Sequence, residues 1–395
     1  MISDRILGIE ESSTLAMAQR CRNLINEGKN IINLSLGEPD FNTPDFIKHA
    51  AKKAIDENYS KYTPVPGYIE LREAISEKFK RDNNLIYNKN QIVCSTGAKQ
   101  SLMQVLLCIL NPDDEIILPS PYWVSYYQMI KFAKAKPIII ESSIENNFKI
   151  KPDELRKKIT KKTKAFLINS PSNPTGAVYS KDELYLISEV LKDFPNIIVI
   201  SDEIYEHINF TSNNCSIGEF LSTKDQVVTV NGLSKGFAMT GWRLGYLGAP
   251  KKIADACIKI QGQFTSGTCS ITQKAALAAL SKSPDFTLKM KNEFENRRDL
   301  VFNLISEIPE IKKTKPEGAF YMFLDFSNYF NKNFKGKEIT NNDDLSMFFL
   351  EEAEVATVSG SAFGDKNCIR ISIASSKNDL IEAISRLKRS LSKLS

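Results

Sequence analysis

Short apolar runs alternate with helical patterns between about residues 70 and 280, and this alternation limits the fold more than any other feature of the chain. Leu71, Ile75 and Phe79, for example, recur at helical spacing just before an extended run. Continuous apolar runs separated by helices are typical of a mostly parallel sheet with helices on both faces. We therefore predict an α/β domain with strands near residues 91–95, 115–118, 137–141, 164–169, 196–201 and 226–231.

The C-terminal part of the chain has a different pattern. Residues 285–308 are predicted to form one long helix, because charges cluster on one side while Phe294, Val301 and Ile305 recur near helical spacing. We expect a large domain of residues 46–290 and a smaller α+β domain built from both chain ends, residues 1–45 and 291–395. The C-terminal segments after the long helix are predicted to be a strand at 319–326, an Asn/Lys-rich loop at 327–342, a helix, a strand at 368–373 and a final helix.

Composition and charge indicate a globular protein without a nucleic-acid or membrane partner. Of 395 residues, 42% are hydrophobic and 25% are charged, as is usual for globular chains. The net charge of +5 comes from 52 basic and 47 acidic residues spread along the sequence, and the densest basic run, 156–164, is interpreted as a solvated helix end and turn. Neither a signal-peptide core nor an apolar run of about eighteen residues is present, so we expect a cytoplasmic protein.

Cysteine and histidine usage excludes several kinds of site. The seven cysteines are scattered and never form a C-x-x-C pair, which indicates reduced thiols and neither a disulfide framework nor a zinc site. His49 and His207 are the only histidines, so a histidine-rich metal centre is excluded and no metal is predicted.

The segment NGLSKGFAMTGWRLG, residues 231–245, combines an amine with a potential anion site. Lysine forms imines with carbonyls, and does so best when burial and neighbouring cations lower its pKa. Arg243 offers a planar fork suited to phosphate, and we expect Gly236, Gly241 and Gly245 to let the backbone approach a ligand. An aldehyde that carries a phosphate is pyridoxal 5'-phosphate, so Lys235 and Arg243 fit that cofactor. Two surface charges after a strand are the alternative.

Three polar clusters follow predicted strands, where ligands of such sheets bind. In SPSNPTG, 170–176, a turn would direct the Asn173 amide toward a phenolate oxygen or a substrate carboxylate. In SDEIYEH, 201–207, Asp202 could pair with a pyridinium nitrogen and Tyr205 could hydrogen-bond the ring oxygen. In STGAKQ, 95–100, backbone N–H groups at a helix start could bind phosphate. Each cluster taken singly has an ordinary structural alternative. SPSNPTG could be a plain turn, the Asp of SDEIYEH a helix cap, and STGAKQ a common glycine turn before a helix.

Together, SPSNPTG, SDEIYEH and SKGFAMTGWRLGY resemble the fold-type I, class I aminotransferases, and the chain looks most like the bacterial aspartate aminotransferases nearly from end to end. The resemblance implies a seven-stranded type of sheet and a pyridoxal 5'-phosphate cofactor. It implies that Lys235 holds the cofactor covalently and then moves the proton. Asp202 would keep the pyridine nitrogen protonated, and Asn173 and Tyr205 would hold the ring oxygen.

The same resemblance implies further site residues. Gly97, Ala98 and Arg243 would bind the phosphate with help from Ser234, and Trp123 in SPYWVSYY would stack on the ring unless it is a core tryptophan. The remaining implied contacts are Tyr62 in KYTPVPG, which would reach the partner's phosphate in a homodimer, Gly37 in NLSLGEPDF, a backbone contact to substrate, and Arg370 in NCIRISIA, which would bind the substrate α-carboxylate unless it is an edge-strand surface arginine.

Substrate choice depends on Lys99 in this resemblance. A dicarboxylic substrate needs a second cation to offset desolvation of its distal carboxylate, and a solvent-facing lysine is disfavoured in the first turn of a helix. The segment 11–14, ESST, resembles a Ser-x-Thr segment that closes over the site. Some relatives also accept prephenate, with a lysine just upstream, and Glu10-Glu11 argues against that activity here.

The predicted reaction moves the amino group of L-aspartate to 2-oxoglutarate, giving oxaloacetate and L-glutamate by a ping-pong mechanism. The alternatives are an aminotransferase of aromatic or neutral amino acids and a pyridoxal-phosphate β-lyase. A DNA-binding regulator is disfavoured because only about 45 residues precede the large domain, without a basic recognition helix. A nicotinamide dehydrogenase is disfavoured because no G-x-G-x-x-G follows a strand.

Overall fold

The computed structural model describes residues 2–211, 215–281 and 285–395. Its helices are α1 (Asp4–Leu7), α2 (Ser13–Asn26), α3 (Asp45–Asp56), α4 (Ile69–Asn83), α5 (Ala98–Ile109), α6 (Val124–Phe132), α7 (Pro152–Lys158), α8 (Lys181–Lys192), α9 (Lys251–Phe264), α10 (Ser270–Leu280), α11 (Asp285–Ser306), α12 (Asn342–Glu352) and α13 (Lys377–Leu391). Its strands are β1 (Ile32–Asn33), β2 (Ile92–Ser95), β3 (Glu115–Ser120), β4 (Lys136–Glu141), β5 (Thr163–Asn169), β6 (Ile198–Asp202), β7 (Val227–Gly232), β8 (Gly245–Gly248), β9 (Tyr321–Asp325), β10 (Lys332–Phe334), β11 (Lys337–Ile339), β12 (Val355–Ala356), β13 (Val358–Ser359) and β14 (Cys368–Ser372).

The central sheet has seven strands in the order β2-β8-β7-β6-β5-β3-β4. Neighbours from β7 through β4 are parallel, whereas β8 runs antiparallel to both β7 and β2. Because β8 is antiparallel to both of its neighbours, β2 runs in the same direction as β7. The carboxyl end of β2 therefore lies at the same edge of the sheet as those of β5 and β6. The predicted α/β fold with a mostly parallel seven-stranded sheet is confirmed.

Helices cover both faces of this sheet, because successive residues of a strand point to opposite faces. On β5, Leu167 packs into the cluster that contains α5, α6 and α9 residues, while its neighbours Phe166 and Ile168 pack against residues of α8. On β2, Val93 joins the first cluster and Cys94 packs with α4 and α10. The strands are therefore buried on both sides, which explains their continuous apolar sequence.

The two chain ends fold together, as predicted for the smaller domain. β1 pairs in parallel with β12, joining Ile32 to Val355, and β13, β14 and β9 form a three-stranded antiparallel sheet. Helices α11, α12 and α13 contribute Val301, Phe349 and Leu387 to the same core. The boundaries at residues 45/46 and 290/291 stay a prediction, and α11 continues through the second one.

The Asn/Lys-rich stretch at 327–342 was predicted as a loop, and this prediction is wrong in part. It contains the antiparallel hairpin β10–β11, with Asn333 opposite Glu338. Lys335 and Gly336, which connect the strands, both have positive φ, 48° and 80°. Two-residue turns with positive φ at both positions match the natural twist of a hairpin, so the turn and not the polar composition decides the structure here.

None of the helices in the described part of the chain combines the length and the apolar character that a membrane span requires.

Candidate active site

A cavity of about 350 Å³ lies beyond the carboxyl ends of β5, β6 and β7. Residues of the central sheet and of the three-stranded sheet line it. Parallel strands end at one edge of a sheet, so side chains that are distant in sequence meet there. The predicted site residues that line this cavity are Gly37, Ala98, Lys99, Trp123, Asn173, Asp202, Tyr205, Ser234, Lys235, Arg243 and Arg370.

Lys235 lies three residues after the end of β7 and lines the cavity. Its Nζ donates a hydrogen bond of 2.5 Å to the carbonyl oxygen of Gly37 and lies 5.9 Å from the ring centroid of Tyr205. Burial lowers the pKa of Lys235 to about 8, and the positive charges of Arg370 and Arg243 add to this effect while Glu38 opposes it. Near neutral pH a far larger fraction of Lys235 is therefore the neutral, nucleophilic amine than at the ordinary pKa of lysine.

Asp202 ends β6 and is 3% exposed. The hydroxyl of Tyr126 donates to its Oδ2 at 2.6 Å, and the N–H of Ile204 donates to Oδ1 at 3.2 Å. Burial raises the pKa of Asp202 to about 6, with these hydrogen bonds acting in the opposite direction. A buried carboxylate of this kind is stabilised by a cationic partner, which a protonated ring nitrogen would supply.

Arg370, Asn173 and Tyr205 form a chain of contacts across the cavity wall. Arg370 Nη1 donates to Asn173 Oδ1 at 3.0 Å, and Asn173 Nδ2 donates to Tyr205 Oη at 3.5 Å. Arg370 Nη2 donates to the carbonyl oxygen of Ser35 at 2.6 Å. The alternative interpretation of Arg370 as an edge-strand surface residue is wrong. Arg370 is 2% exposed, and its strand, β14, lies between β13 and β9.

The Nε of Arg370 is buried and has no hydrogen-bond partner among the residues that the structure describes. Burial also lowers the pKa of its guanidinium. An unpaired N–H on a buried cation is costly, and a carboxylate bound in the cavity would satisfy it. The site thus fits an acidic ligand at this position.

The turn before α5 and Arg243 form a second anion site. Gly97 has φ +89°, and a Cβ atom at Gly97 would lie 2.7 Å from Arg243 Nη2. The helix begins at Ala98, so its first N–H groups have no partner within the helix. A cation stacked against a glycine turn at a helix N-terminus suits a phosphate. Ser234, 8% exposed, lines the same cavity.

Two of the glycines predicted to let backbone approach a ligand serve the packing of the chain on itself. A Cβ atom at Gly245 would lie 2.1 Å from the backbone nitrogen of Ala98, and one at Gly236 would lie 2.4 Å from the ring of His207. At Gly241 the described residues leave open space within 4 Å. A sequence does not reveal which atoms face a glycine in the fold, and the approach of this backbone to a ligand stays a prediction.

Lys99 and Trp123 lie at the mouth of the cavity. Lys99 Nζ is 4.8 Å from the ring centroid of Trp123, which contacts Tyr126 edge to face at 5.2 Å. Partial desolvation, and then the charge of Arg243, lower the pKa of Lys99. Trp123 is half-buried and faces the cavity, so the alternative of a core tryptophan is not what the structure has.

The N-terminal segment also reaches this mouth. Ser12 and Thr14 line the cavity, and the Oγ1 of Thr14 is buried without a hydrogen-bond partner among the described residues. Glu10 contacts Gln128 of α6 through two hydrogen bonds, of 3.3 and 3.4 Å. The Ser-x-Thr segment is therefore positioned to contact a ligand, with a carboxylate close behind it.

Tyr62 lies apart from the cavity of its own chain, on the surface and 97% exposed. Tyr126 and Tyr321 are among the cavity residues that were not predicted from the sequence. Tyr126 could have been found, because it is three positions after Trp123 and thus on the same side of α6. Tyr321 could not, because its place depends on the pairing of β9 with β14.

The chain is similar to known aminotransferases over its whole length. A family model described as aminotransferase class I and II matches residues 29–387. A protein of Petunia hybrida, a bifunctional aspartate aminotransferase and glutamate/aspartate-prephenate aminotransferase, is 44% identical over 99% of this chain and 82% of its own. A probable aspartate/prephenate aminotransferase of Rickettsia bellii is 44% identical over 100% of both chains.

Solved structures agree with these relatives. The aspartate aminotransferase from Rhizobium meliloti superposes with a TM-score of 0.97 at 39% identity and covers 100% of both chains. The aspartate aminotransferase from Thermus thermophilus with maleate has a TM-score of 0.94 at 36% identity and covers 99% of both.

Proposed function

We propose that this chain, which belongs to the class I and II aminotransferase family, transfers the amino group of L-aspartate to 2-oxoglutarate, giving oxaloacetate and L-glutamate. The observation that carries the proposal is that Arg370 and Lys99 line one cavity of about 350 Å³ in addition to Lys235 and Arg243, which we assign to the cofactor. Each carboxylate of a dicarboxylic acid loses hydration on entering the cavity and needs a cationic partner. The names of the relatives, which include aspartate, support the same substrate.

Pyridoxal 5'-phosphate is the proposed cofactor, as the family implies, and the residues present fit it. The glycine turn at Gly97 packs directly against Arg243 and forms a cradle for the phosphate. The buried Asp202 suits a protonated ring nitrogen, and Trp123 offers an aromatic face. When bound, the cofactor supplies an aldehyde carbon for covalent attachment and a ring that withdraws electrons from the substrate Cα.

Lys235 has two proposed roles, to attach the cofactor and to move a proton. Its amine would form the covalent bond in the resting enzyme, and the amino substrate would displace it. The freed amine, whose pKa burial lowers, would then take the proton from the substrate Cα and return it to the cofactor carbon that the amine had held. The carbonyl oxygen of Gly37, which accepts from Nζ at 2.5 Å, keeps the amine inside the cavity.

Arg370 and Asn173 orient the substrate in this proposal. The unpaired Nε of Arg370 and its neighbouring N–H groups bind the α-carboxylate, which fixes Cα within reach of Lys235. Asn173 accepts a hydrogen bond from the guanidinium at Oδ1 and donates one from Nδ2 to the hydroxyl of Tyr205. Tyr205 donates its hydroxyl proton to the ring oxygen of the cofactor. Lys99 binds the distal carboxylate at the mouth.

We infer that the protein acts as a homodimer in which Tyr62 reaches the partner's phosphate site. The phenol of Tyr62 is almost fully exposed, yet the neighbouring Thr63 is held in place by Gln273 Nε2, which donates to its Oγ1 at 3.1 Å. Ile69, 50% exposed, lies seven residues after Tyr62. Phe264, 72% exposed, ends α9, whose Gln261 donates through Nε2 to the carbonyl oxygen of Val65 at 2.7 Å. Exposed apolar side chains beside a rigid loop support a contact with another subunit.

A donor panel tests the proposed function. Oxaloacetate and other keto-acid products are followed by coupled assays, with 2-oxoglutarate as acceptor and aspartate, alanine, phenylalanine and tyrosine as donors. The expected result is the highest kcat/KM for aspartate. A preference for phenylalanine or tyrosine would contradict the aspartate assignment and favour the aromatic alternative, and ammonia release would favour a β-lyase.

Prephenate is the second candidate acceptor, because relatives at 44% identity carry it in their names. Glu10 and Glu11 precede the Ser-x-Thr segment, where the resemblance gives relatives that accept prephenate a lysine, so this chain lacks that cation. We expect slower transamination of prephenate than of oxaloacetate with glutamate as donor. The same assay with Glu10→Lys should raise the rate with prephenate.

A further inference from the structure

The side chain of Tyr321 lines the cavity and lies against three separate parts of the site. Tyr321 begins β9 and is 1% exposed, and its Oη is 2.9 Å from the Oη of Tyr205. The guanidinium carbon of Arg370 lies 4.4 Å from the centroid of its ring. A Cβ atom at Gly37 would lie only 2.7 Å from the Tyr321 hydroxyl oxygen. The phenol therefore joins the loop of Tyr205, the strand of Arg370 and the segment of Gly37.

In the hydrogen bond between the hydroxyls of Tyr205 and Tyr321, only one of the two can be the donor at a time. A hydroxyl has one proton to donate and two lone pairs that accept. Burial and the proximity of the other phenol raise the pKa of Tyr205 well above its usual value, so both groups remain neutral. If Tyr205 gives its proton to an oxygen of a bound ligand, the proton between Tyr205 and Tyr321 must come from Tyr321.

A donor behind Tyr205 changes how strongly Tyr205 itself can donate. Hydrogen bonds arranged in series polarise one another, and the effect is larger inside a protein than in water. Tyr205 Oη accepts from Asn173 Nδ2 at 3.5 Å, so the 2.9 Å contact with Tyr321 is the shorter of the two. Tyr321 is consequently the stronger influence on the Tyr205 hydroxyl.

Resting on the proposed function, we propose that Tyr321 is a positioning residue that donates a hydrogen bond to Tyr205 and so strengthens the hydrogen bond from Tyr205 to the ring oxygen of the cofactor. The ring of Tyr321 has a separate task, to support the guanidinium of Arg370. Gly37 has no side chain because the Tyr321 hydroxyl occupies the space where a Cβ atom would lie.

The test is a pH titration of the visible absorption of the holoenzyme. The proton on the Lys235 nitrogen and the hydroxyl of Tyr205 compete for the same ring oxygen, so a weaker Tyr205 donor raises the apparent pKa of the chromophore. We expect Tyr321→Phe to raise this pKa in the same direction as Tyr205→Phe, by roughly a third or less of that shift. The double variant should titrate like Tyr205→Phe alone, because Tyr321 acts through Tyr205.

Two controls separate this role from general damage to the fold. Tyr329→Phe removes another buried hydroxyl, one that donates to the carbonyl of Pro309 at 2.7 Å outside the cavity, and should leave the titration unchanged. Tyr321→Phe keeps the ring under Arg370, so the dissociation constant of an unreactive dicarboxylate such as maleate should change less than twofold. A purely structural role would alter both measurements together.

A second variant tests the steric part of the proposal. Gly37→Ala should weaken cofactor binding, measured by release of the chromophore on dilution, because its Cβ atom displaces the Tyr321 hydroxyl. In the Tyr321→Phe background the same change should be tolerated, since the next ring atom is 3.8 Å away, an ordinary contact.

The proposal is overturned if Tyr321→Phe titrates like the wild type while Tyr205→Phe shifts, or if the two shifts add. Failure of the proposed function would be distinct, because the wild-type holoenzyme would then form no oxaloacetate from aspartate.

Discussion

At the scale of single residues, the environment of Lys235 accounts for the chemistry. Lysine is a poor nucleophile when protonated, and here burial and the cations Arg370 and Arg243 lower its pKa to about 8. We predict that Lys235→Ala purifies without the visible absorption of the bound cofactor and loses at least about 10²-fold in transamination. Lys149→Ala is the matched control, because Lys149 is another largely buried lysine but lies outside the cavity. This variant should keep the visible absorption and the transamination activity. Retained absorption in Lys235→Ala would refute the assignment.

The lowered pKa of Lys235 has a direct consequence for cofactor loading. Only the neutral amine attacks the aldehyde, and its fraction grows as pH rises toward the pKa. The rate at which apoprotein acquires the visible absorption should therefore rise with pH and level off above about 8, as followed by stopped-flow absorption. A rate that continues to climb tenfold per pH unit up to pH 10 would mean that the lysine has an ordinary pKa.

Lys99 is the residue expected to select a dicarboxylic substrate. Removing a hydrogen bond to a charged group costs about 1.5–3 kcal/mol, so Lys99→Ala should raise KM for aspartate about 10- to 100-fold and change KM for alanine far less. Lys131→Ala is the control, because Lys131 also lies over an aromatic ring, that of Tyr127, but does not line the cavity. Equal effects on aspartate and alanine would show that Lys99 does not discriminate between them.

At the scale of elements, the sequence predicted the strands that carry the site but not the contacts between distant ones. The six predicted strands of the central sheet lie within two residues of the observed bounds, because buried strands are continuously apolar. The strand β8 was not predicted, because its glycines resemble a loop in sequence. Gly248 there makes room for the ring of Tyr87.

The pairing of β9 with β14 illustrates why part of the site escaped prediction. It aligns Tyr321 with Ser372, two residues beyond Arg370, and brings the Tyr321 phenol to Tyr205. Neither apolar periodicity nor turn composition encodes this register, which depends on packing against α11–α13. Asn173, Asp202 and Lys235 were predictable because each lies at the end of a recognisable buried strand or within four residues after it.

The close packing of β8 against the start of α5 gives a prediction for the phosphate cradle. Gly245→Ala would place its Cβ atom 2.1 Å from the nitrogen of Ala98, so backbone must move. We expect a loss of about 1–3 kcal/mol in the free energy of unfolding and a weaker affinity for the cofactor. Denaturant unfolding and spectroscopic titration measure the two effects. Gly241→Ala is the matched control, with open space among the described residues, and should change neither.

At the scale of the whole molecule, both ends of the chain are needed for one cavity. Gly37 comes from the N-terminal segment, Lys235 from the central sheet and Arg370 from the smaller sheet. β1 and β12 hold the N-terminal segment to the C-terminal part through the pairing of Ile32 with Val355. The change in pattern after residue 285 predicted the smaller domain, and the family resemblance implied that Gly37, Lys235 and Arg370 belong to one site. The dimer stays a proposal.

Complementation between subunits tests that dimer. A hybrid of Lys235→Ala and Tyr62→Ala subunits contains one cavity with its own Lys235 and an intact Tyr62 from the partner subunit. If Tyr62 crosses the interface, the hybrid should recover about half of the wild-type activity, because one of its two sites is complete. A hybrid no more active than the Tyr62→Ala homodimer would place Tyr62 outside the partner's site.

The product balance of the purified protein, loaded with pyridoxal 5'-phosphate and supplied with L-aspartate and 2-oxoglutarate, tests the proposed reaction most directly. We expect oxaloacetate and L-glutamate in equal amounts, with turnover abolished when either substrate is omitted. Release of ammonia from aspartate, or the absence of glutamate, would contradict the proposed reaction.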